Sequence, residues 1–324
     1  MRRLLRFLDF LFLTRPVLFF PVWTVFFAGM VVASIPQFSR LRADLWLAVQ
    51  SLVLRGEFWL AFLSVSAAMA AVFVINQFTD VKSDRENNKL FLLANGMVSR
   101  KAASLEAAGL AAAALIFAAP GPRSFPGLTV LILLITGAGY SLRPFSWKDR
   151  PLPGLFVNMT GALLTFAYGW RVVRPLDGQM LRHSVPYLLA VGAVYLLTTI
   201  LDRKGDRAIG KYTFAVRYGV RATVWWAFFF ELACMVCAAL LADPVIFIPA
   251  VLAAPFFVRL LRDAPDEKVV PATRIPILLL SLTVAVMFPL HFVLMAGVYF
   301  LSKWYYRERF RLHYPSLTQI VEES

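Results

Sequence analysis

The sequence predicts an all-α integral membrane protein with nine transmembrane helices, and three observations carry that reading. The 324 residues are 60% hydrophobic and only 16% charged, where an ordinary soluble domain is about a quarter charged, and the mean hydropathy is +0.69. The apolar stretches are long and continuous, as helices of about 20 residues require, and lack the alternation of β-barrel strands. Nine such helices would occupy about 180 residues and leave only short loops. Residues 1–324 are therefore read as a single domain with a basic C-terminal tail over about 303–324. The same composition excludes a disordered chain and a disulfide scaffold.

The expected spans are 16–34, 58–79, 102–119, 125–142, 152–170, 184–201, 222–242, 244–261 and 276–301, each an apolar run bounded by charge, Pro or Gly. The first resembles a signal peptide until Arg15-Pro16 interrupts it, and no small-residue cleavage site follows, so it is read as retained. Between the first two spans, RLRADLWLAVQSLVLRGE mixes Arg, Trp and aliphatic residues and is expected to lie in the membrane interface. Cys234 and Cys237 form a C-x-x-C inside the apolar run WWAFFFELACMVCAALLA, which suits packing between helices better than redox chemistry.

Charge supplies the orientation. There are 33 Lys plus Arg against 19 Asp plus Glu, a formal +14. No basic stretch is interleaved with aromatics, which argues against a nucleic-acid partner. Basic residues are instead retained in cytoplasmic loops. Counted over the nine spans, one side receives 22 Lys and Arg and the other 11. This predicts a cytoplasmic N-terminus in a bacterial inner membrane, with the basic tail left anomalously on the outer side.

Acids close to a membrane are costly and mark function or partners. Two clusters stand out, INQFTDVKSDRENNK at the end of the second span and LDRKGDRAIGKYTFAVRYG at the end of the sixth. Asn76, Asp80 and Asp84 are spaced by four, which makes one slowly drifting stripe about 12 Å long on a helix. Asp202 and Asp206 form a similar pair. Both clusters fall at the same end of the bundle and can face one cavity, where four converging carboxylates would repel unless divalent cations lay between them. Oxygen-only ligands suit Mg²⁺, which completes its shell with water and substrate phosphate. Lys82, Arg85, Lys89, Arg203, Lys204, Arg207 and Lys211 surround the acids and suit a metal-bridged diphosphate. The loop GYSLRPFSWKDRPLPG adds Tyr140, Arg143, Lys148 and Arg150 as a closing lid.

The N-x-x-x-D-x-x-x-D of Asn76, Asp80 and Asp84, with the D-x-x-x-D-x-x-x-G-x-x-T of Asp202, Asp206, Gly210 and Thr213, resembles the UbiA superfamily of intramembrane prenyltransferases. Arg15-Pro16 and the tyrosine-plus-basic loop at Tyr140 extend the resemblance over most of the chain. It implies nine helices around a central cavity with a lateral opening to lipid and cytoplasmic cap loops. It also implies Mg²⁺-dependent transfer of a prenyl group from a prenyl diphosphate to an acceptor, with release of diphosphate. By that likeness Asn76, Asp80, Asp84, Asp202 and Asp206 hold metal and diphosphate, and Arg15, Arg85, Tyr140, Arg143, Lys148 and Lys211 contact the diphosphate. The leading acceptor is an aromatic acid of the 4-hydroxybenzoate kind from quinone biosynthesis; a glycerol-phosphate lipid, a porphyrin or a sugar phosphate is the alternative. Two departures bear on acceptor and lid: RENNKLFLLANG follows Asp84 without the Arg-Pro pair of many members, and Pro144 stands where many have a lysine four residues after the tyrosine.

Phe73, Phe78, Phe166 and Tyr168 are candidates to line a prenyl groove, although packing is the commoner role of such residues. Asn158 faces either the cavity or another helix, and Glu231 is an intramembrane acid without a partner motif. His183, His291 and His313 show no metal-ligand spacing. A CDP-alcohol phosphotransferase would need D-x-x-D-G-x-x-A-R, which neither cluster has. An ion-coupled transporter would place its acids near mid-membrane on broken helices, whereas these gather at helix ends. The expected partners are thus the prenyl donor, a small acceptor and membrane lipid.

Overall fold

A computed structural model describes residues 2–35, 42–86, 92–312, 314 and 315. The helices, in chain order, are α1 (Arg2–Leu13), α2 (Phe19–Ser34), α3 (Arg42–Ser51), α4 (Gly56–Glu86), α5 (Arg100–Ala118) and α6 (Ser124–Leu131). There follow α7 (Pro151–Val173), α8 (Gly178–Leu201), α9 (Arg203–Ala208), α10 (Phe214–Leu240), α11 (Pro244–Leu260), α12 (Asp266–Met287) and α13 (Pro289–Phe310). Among the described residues six segments are long and apolar enough to cross a membrane: Leu5–Ser34, Gly56–Lys82, Arg100–Ala118, Gly178–Leu201, Phe214–Leu240 and Asp266–Met287. Ser124–Gly139 and Pro244–Leu260 are shorter apolar helices. The region expected in the interface is the ten-residue α3, too short to span, with Trp46 and Leu47 exposed and Val49 buried.

Local chemistry sets the helix ends. Ser99, Asp177 and Asp243 accept hydrogen bonds from the N–H groups of Ala102, Met180 and Val245, which otherwise lack helical partners. Pro151, Pro244 and Pro289 occupy first-turn positions where a missing N–H costs nothing. Packing is tightest where α2 crosses α7. A Cβ on Gly29 would run into the Phe166 carbonyl, and one on Gly169 into that of Phe26, so two glycines let the backbones touch.

The ninth expected span, 276–301, is two helices. Phe288 leaves the helical region (φ −138°, ψ 83°) between α12 and α13, because Pro289 disfavours helical geometry in the residue before it. α13 then runs the height of the bundle. At its start the Phe288 ring lies 4.7 Å from Phe27 and 5.8 Å from Phe58, and His291 is 3.0 Å from Thr24 Oγ1. At its end Tyr305 stacks on Phe12 at 3.6 Å and donates to Asp9 Oδ1 at 2.6 Å. Arg309 donates to both Asp9 oxygens at 3.1 Å. The segment from Lys303 to Phe310, expected as tail, is helix, and it ends beside α1 at the aspartate end. Moving Lys303, Arg307, Arg309 and Arg311 to that side turns the tally of 22 against 11 into 26 against 7, which removes the anomaly.

Candidate functional site

A cavity of about 440 Å³ opens at the end of the bundle where α4 and α8 finish. α4 is one continuous helix through Glu86, so the four-residue spacing holds and Asn76, Asp80 and Asp84 all line the cavity. Asp202 and Asp206 line the same cavity from the other side.

The second motif is built differently. α8 stops at Leu201, Asp202 caps it, and the short α9 carries Asp206. Gly210 takes a left-handed conformation (φ +77°) that turns the chain back after α9. The turn brings Thr213 Oγ1 to donate to Asp206 Oδ2 at 3.2 Å and aims Lys211 at Asp80. The glycine and threonine of D-x-x-x-D-x-x-x-G-x-x-T thus shape the turn and hold a carboxylate.

The converging acids are met by cations. Lys148 Nζ donates to Asp80 Oδ1 at 2.5 Å, to Asn76 Oδ1 at 2.7 Å and to Thr79 Oγ1 at 2.6 Å. Lys211 Nζ reaches the same Asp80 oxygen at 2.7 Å and lies 3.6 Å from Asp149. Burial pushes the Lys148 ammonium below the usual lysine range against the pull of Asp80. Burial acts the same way on Lys211, but Asp80, Asp149 and Asp206 together outweigh it and hold that group above the usual range. The loop expected as a lid is therefore latched: Lys148 is buried and ties it to α4.

Arg15 sits at the α1–α2 junction in a left-handed conformation (φ 53°, ψ 66°), a strained state for a residue with a side chain. Its Nη2 donates to Asp84 Oδ2 at 3.3 Å. Gln77, one residue past Asn76, braces this junction by donating to the Leu13 carbonyl at 2.5 Å.

The remaining sequence candidates are placed as follows. Tyr140 lines the cavity. Arg143 is exposed and lines a separate shallow hollow with Phe145, Arg150 and Tyr212. The side chain of Arg85 and the whole of Lys89 lie outside the described residues. Among the described residues no three His, Cys, Asp or Glu side chains close on a single metal position; the acids share a cavity, with Asp80 engaged by two lysines. Of the four aromatic candidates only Phe73 lines the cavity. Phe166 and Tyr168 are fully buried beside Tyr187 and Phe125, and Phe78 packs in the cluster around Val74 and Tyr305. Asn158 does face the cavity.

Sequence reading missed Tyr195, Thr198 and Thr199, which line the cavity from α8. They precede Asp202 by seven, four and three residues, the spacing of one helix face, and that periodicity was the available signal. Tyr140 and Thr136 reach the cavity from a π-helical stretch, Ile132–Gly139, that continues α6. Such stretches are rare and favour functional sites.

An all-helical bundle of long apolar helices with a polar, acid-lined cavity at one end defines the class of integral membrane proteins with a charged site. The chain belongs to the UbiA prenyltransferase family, whose model matches residues 38–268. It is 34% identical over 165 residues to the digeranylgeranylglyceryl phosphate synthase of Methanoregula boonei, over 49% of this chain and 56% of that protein. The chain thus spans little more than half the length of that relative. Its fold is similar to that of a UbiA homologue from Archaeoglobus fulgidus bound to GPP and Mg²⁺, with TM-score 0.66 and 18% identity over 89% of this chain and 99% of that one. A UbiA homologue from Aeropyrum pernix K1 superposes with TM-score 0.62 and 16% identity, over 84% and 98%.

Proposed function

We propose that this protein transfers a prenyl group from a prenyl diphosphate to a hydroxyl of a glycerol-phosphate lipid, releasing diphosphate at the cytoplasmic face of a cell membrane. The observation that carries the proposal is one cavity with two characters. Its mouth holds four aspartates and the cations Arg15, Lys148 and Lys211, and its interior is walled by apolar side chains such as Val22, Val25, Met69 and Phe73. That division fits an amphiphile with a polyanionic head and a hydrocarbon tail, whose burial is worth about 0.8 kcal/mol per CH₂.

The lining charges sum to minus one, so a diphosphate is repelled until divalent cations reverse the sign. The donor set fits Mg²⁺, since it consists of hard oxygens; Asn76, Asp80, Asp84, Asp202 and Asp206 would hold the ion. When bound, Mg²⁺ neutralises charge growing on the leaving group. Lys148 and Lys211, freed from Asp80, would donate to the diphosphate as the allylic C–O bond breaks and its electron pair leaves with the diphosphate. The acceptor oxygen then forms the new C–O bond with a lone pair, and its proton passes to the departing diphosphate. The apolar walls exclude water, which would otherwise capture the cation-like carbon.

The named relative favours a glycerol-phosphate acceptor over the aromatic acid expected from the sequence. The positive-side tally of 26 against 7 supports a cytoplasmic active site. The test is mass spectrometry of lipid extracts after purified protein, Mg²⁺ and geranylgeranyl diphosphate are incubated with geranylgeranylglyceryl phosphate or with 4-hydroxybenzoate. The prenylated glycerol ether is expected; prenylated hydroxybenzoate as the main product would restore the aromatic reading.

A further inference from the structure

Beyond the aspartates and the apolar wall, the cavity has a third surface. Asn158 of α7, Tyr195 and Thr198 of α8, and Tyr140 at the end of the π-helical stretch line it together. Asn158 and Tyr195 meet at one residue of this wall, Gly154. Asn158 Nδ2 donates to the Gly154 carbonyl at 2.8 Å, which fixes the amide and turns its oxygen away from its own helix. Two glycines make the packing possible. Tyr195 Oη rests against Gly154, where a Cβ would displace it, and Thr136 packs on Gly161.

The chemistry of this surface is neutral. Every basic residue that lines the cavity among the described residues, Arg15, Lys148 and Lys211, is committed to the aspartate motifs. Thr198 donates to its own helix, at the Tyr195 carbonyl 2.7 Å away, and so offers the cavity an acceptor and a methyl. Two phenols and an amide that both donate and accept match an uncharged hydroxyl, which does the same. A carboxylate has no counter-charge on this surface, and burying one unpaired is costly.

We infer that Tyr195, Tyr140 and Asn158 form the acceptor subsite and hold the reacting alcohol of the acceptor as a neutral hydroxyl beside the aspartate end. This rests on the prenyl-transfer reading and deepens it: the acceptor presents an alcohol here, and any charged group it carries stays outside this surface. The three residues touch the acceptor, which moves Tyr140 from the diphosphate contacts implied by the family resemblance to the acceptor side, and the aspartates and lysines are left to the donor. A site built to hydrogen-bond a hydroxyl discriminates strongly once those bonds are lost.

The test is the Tyr195→Phe variant, nearly isosteric and so the mildest to folding, together with Gly154→Ala, which displaces the same hydroxyl without removing it. Steady-state kinetics with geranylgeranyl diphosphate and geranylgeranylglyceryl phosphate are expected to show acceptor KM raised about tenfold in each, the loss of about one hydrogen bond, with donor KM changed less than twofold. The ratio of diphosphate released to ether formed should also rise, as water competes for the unheld donor. An unchanged acceptor KM, or equal rises in acceptor and donor KM, would overturn the assignment. Failure of the parent reading is recognised separately, since the unaltered protein would then form no prenylated product from either substrate pair.

Discussion

The two ends of the helix bundle handle buried polar groups in opposite ways. Away from the aspartates, Ser64, Thr129 and Tyr168 hydrogen-bond to one another at 2.7–3.0 Å, and Thr24 bonds Ser281 at 2.6 Å and His291 at 3.0 Å. These groups are neutral and buried, with Phe125 stacked on Tyr168 and Phe27 beside His291. At the other end the two aspartate motifs and their cations face a cavity and are held by unusual backbone: left-handed Arg15 and Gly210, a broken helix at Asp202 and a π-helical stretch before Tyr140. Polar groups that satisfy each other tie helices together, whereas polar groups whose partners can be exchanged for a ligand make a site.

Substitutions at the two ends should therefore separate activity from stability. The largest effect is expected for Asp80→Ala or Asp202→Ala, which should reduce Mg²⁺-dependent diphosphate release per folded molecule by at least about 10³-fold, the scale of losing a main electrostatic contact. Full activity in either variant would remove the proposed site. Lys148→Met should lower kcat by about 10²-fold and loosen the loop from Ser141 to Arg150, measurable as faster proteolysis there.

At the opposite end Gly29→Val should destabilise by about 1–3 kcal/mol through overpacking at the α2–α7 crossing, read as a lower Tm in detergent, with activity per folded molecule kept. The smallest effect is expected for Tyr168→Phe. Loss of its hydroxyl from a neutral network should cost about 1 kcal/mol and leave turnover unchanged. A turnover loss there as large as that of Lys148→Met would erase the contrast between the ends.

Much of the site was legible because its chemistry depends on helical spacing. Asn76, Asp80 and Asp84 line one cavity with Asp202 and Asp206 since α4 continues unbroken through the motif. What could not be read depended on tertiary contacts. Nothing in the letters says that Lys148 and Lys211 meet on one Asp80 oxygen, because the two lie 63 residues apart in sequence and only the Gly210 turn and the latched loop bring them together. The divided last span was closer to legible: Pro289 marks the break, but apolar sequence on both sides hides it from a hydropathy count. Tyr168 shows the converse error. Its aromatic ring suggested a groove, while the Ser64 and Thr129 partners that make it a core residue are remote in sequence.

The central claim is that charged groups at one end of the bundle expel diphosphate from a prenyl donor held beside lipid. The most direct measurement is diphosphate release by the unaltered protein in vesicles supplied with geranylgeranyl diphosphate and geranylgeranylglyceryl phosphate, as Mg²⁺ is titrated from a chelated start. No release is expected in chelator, saturable release with Mg²⁺, and one prenylated lipid formed per diphosphate. No release at any Mg²⁺ concentration, from vesicles whose ion gradient the same protein dissipates, would contradict it and favour a transporter.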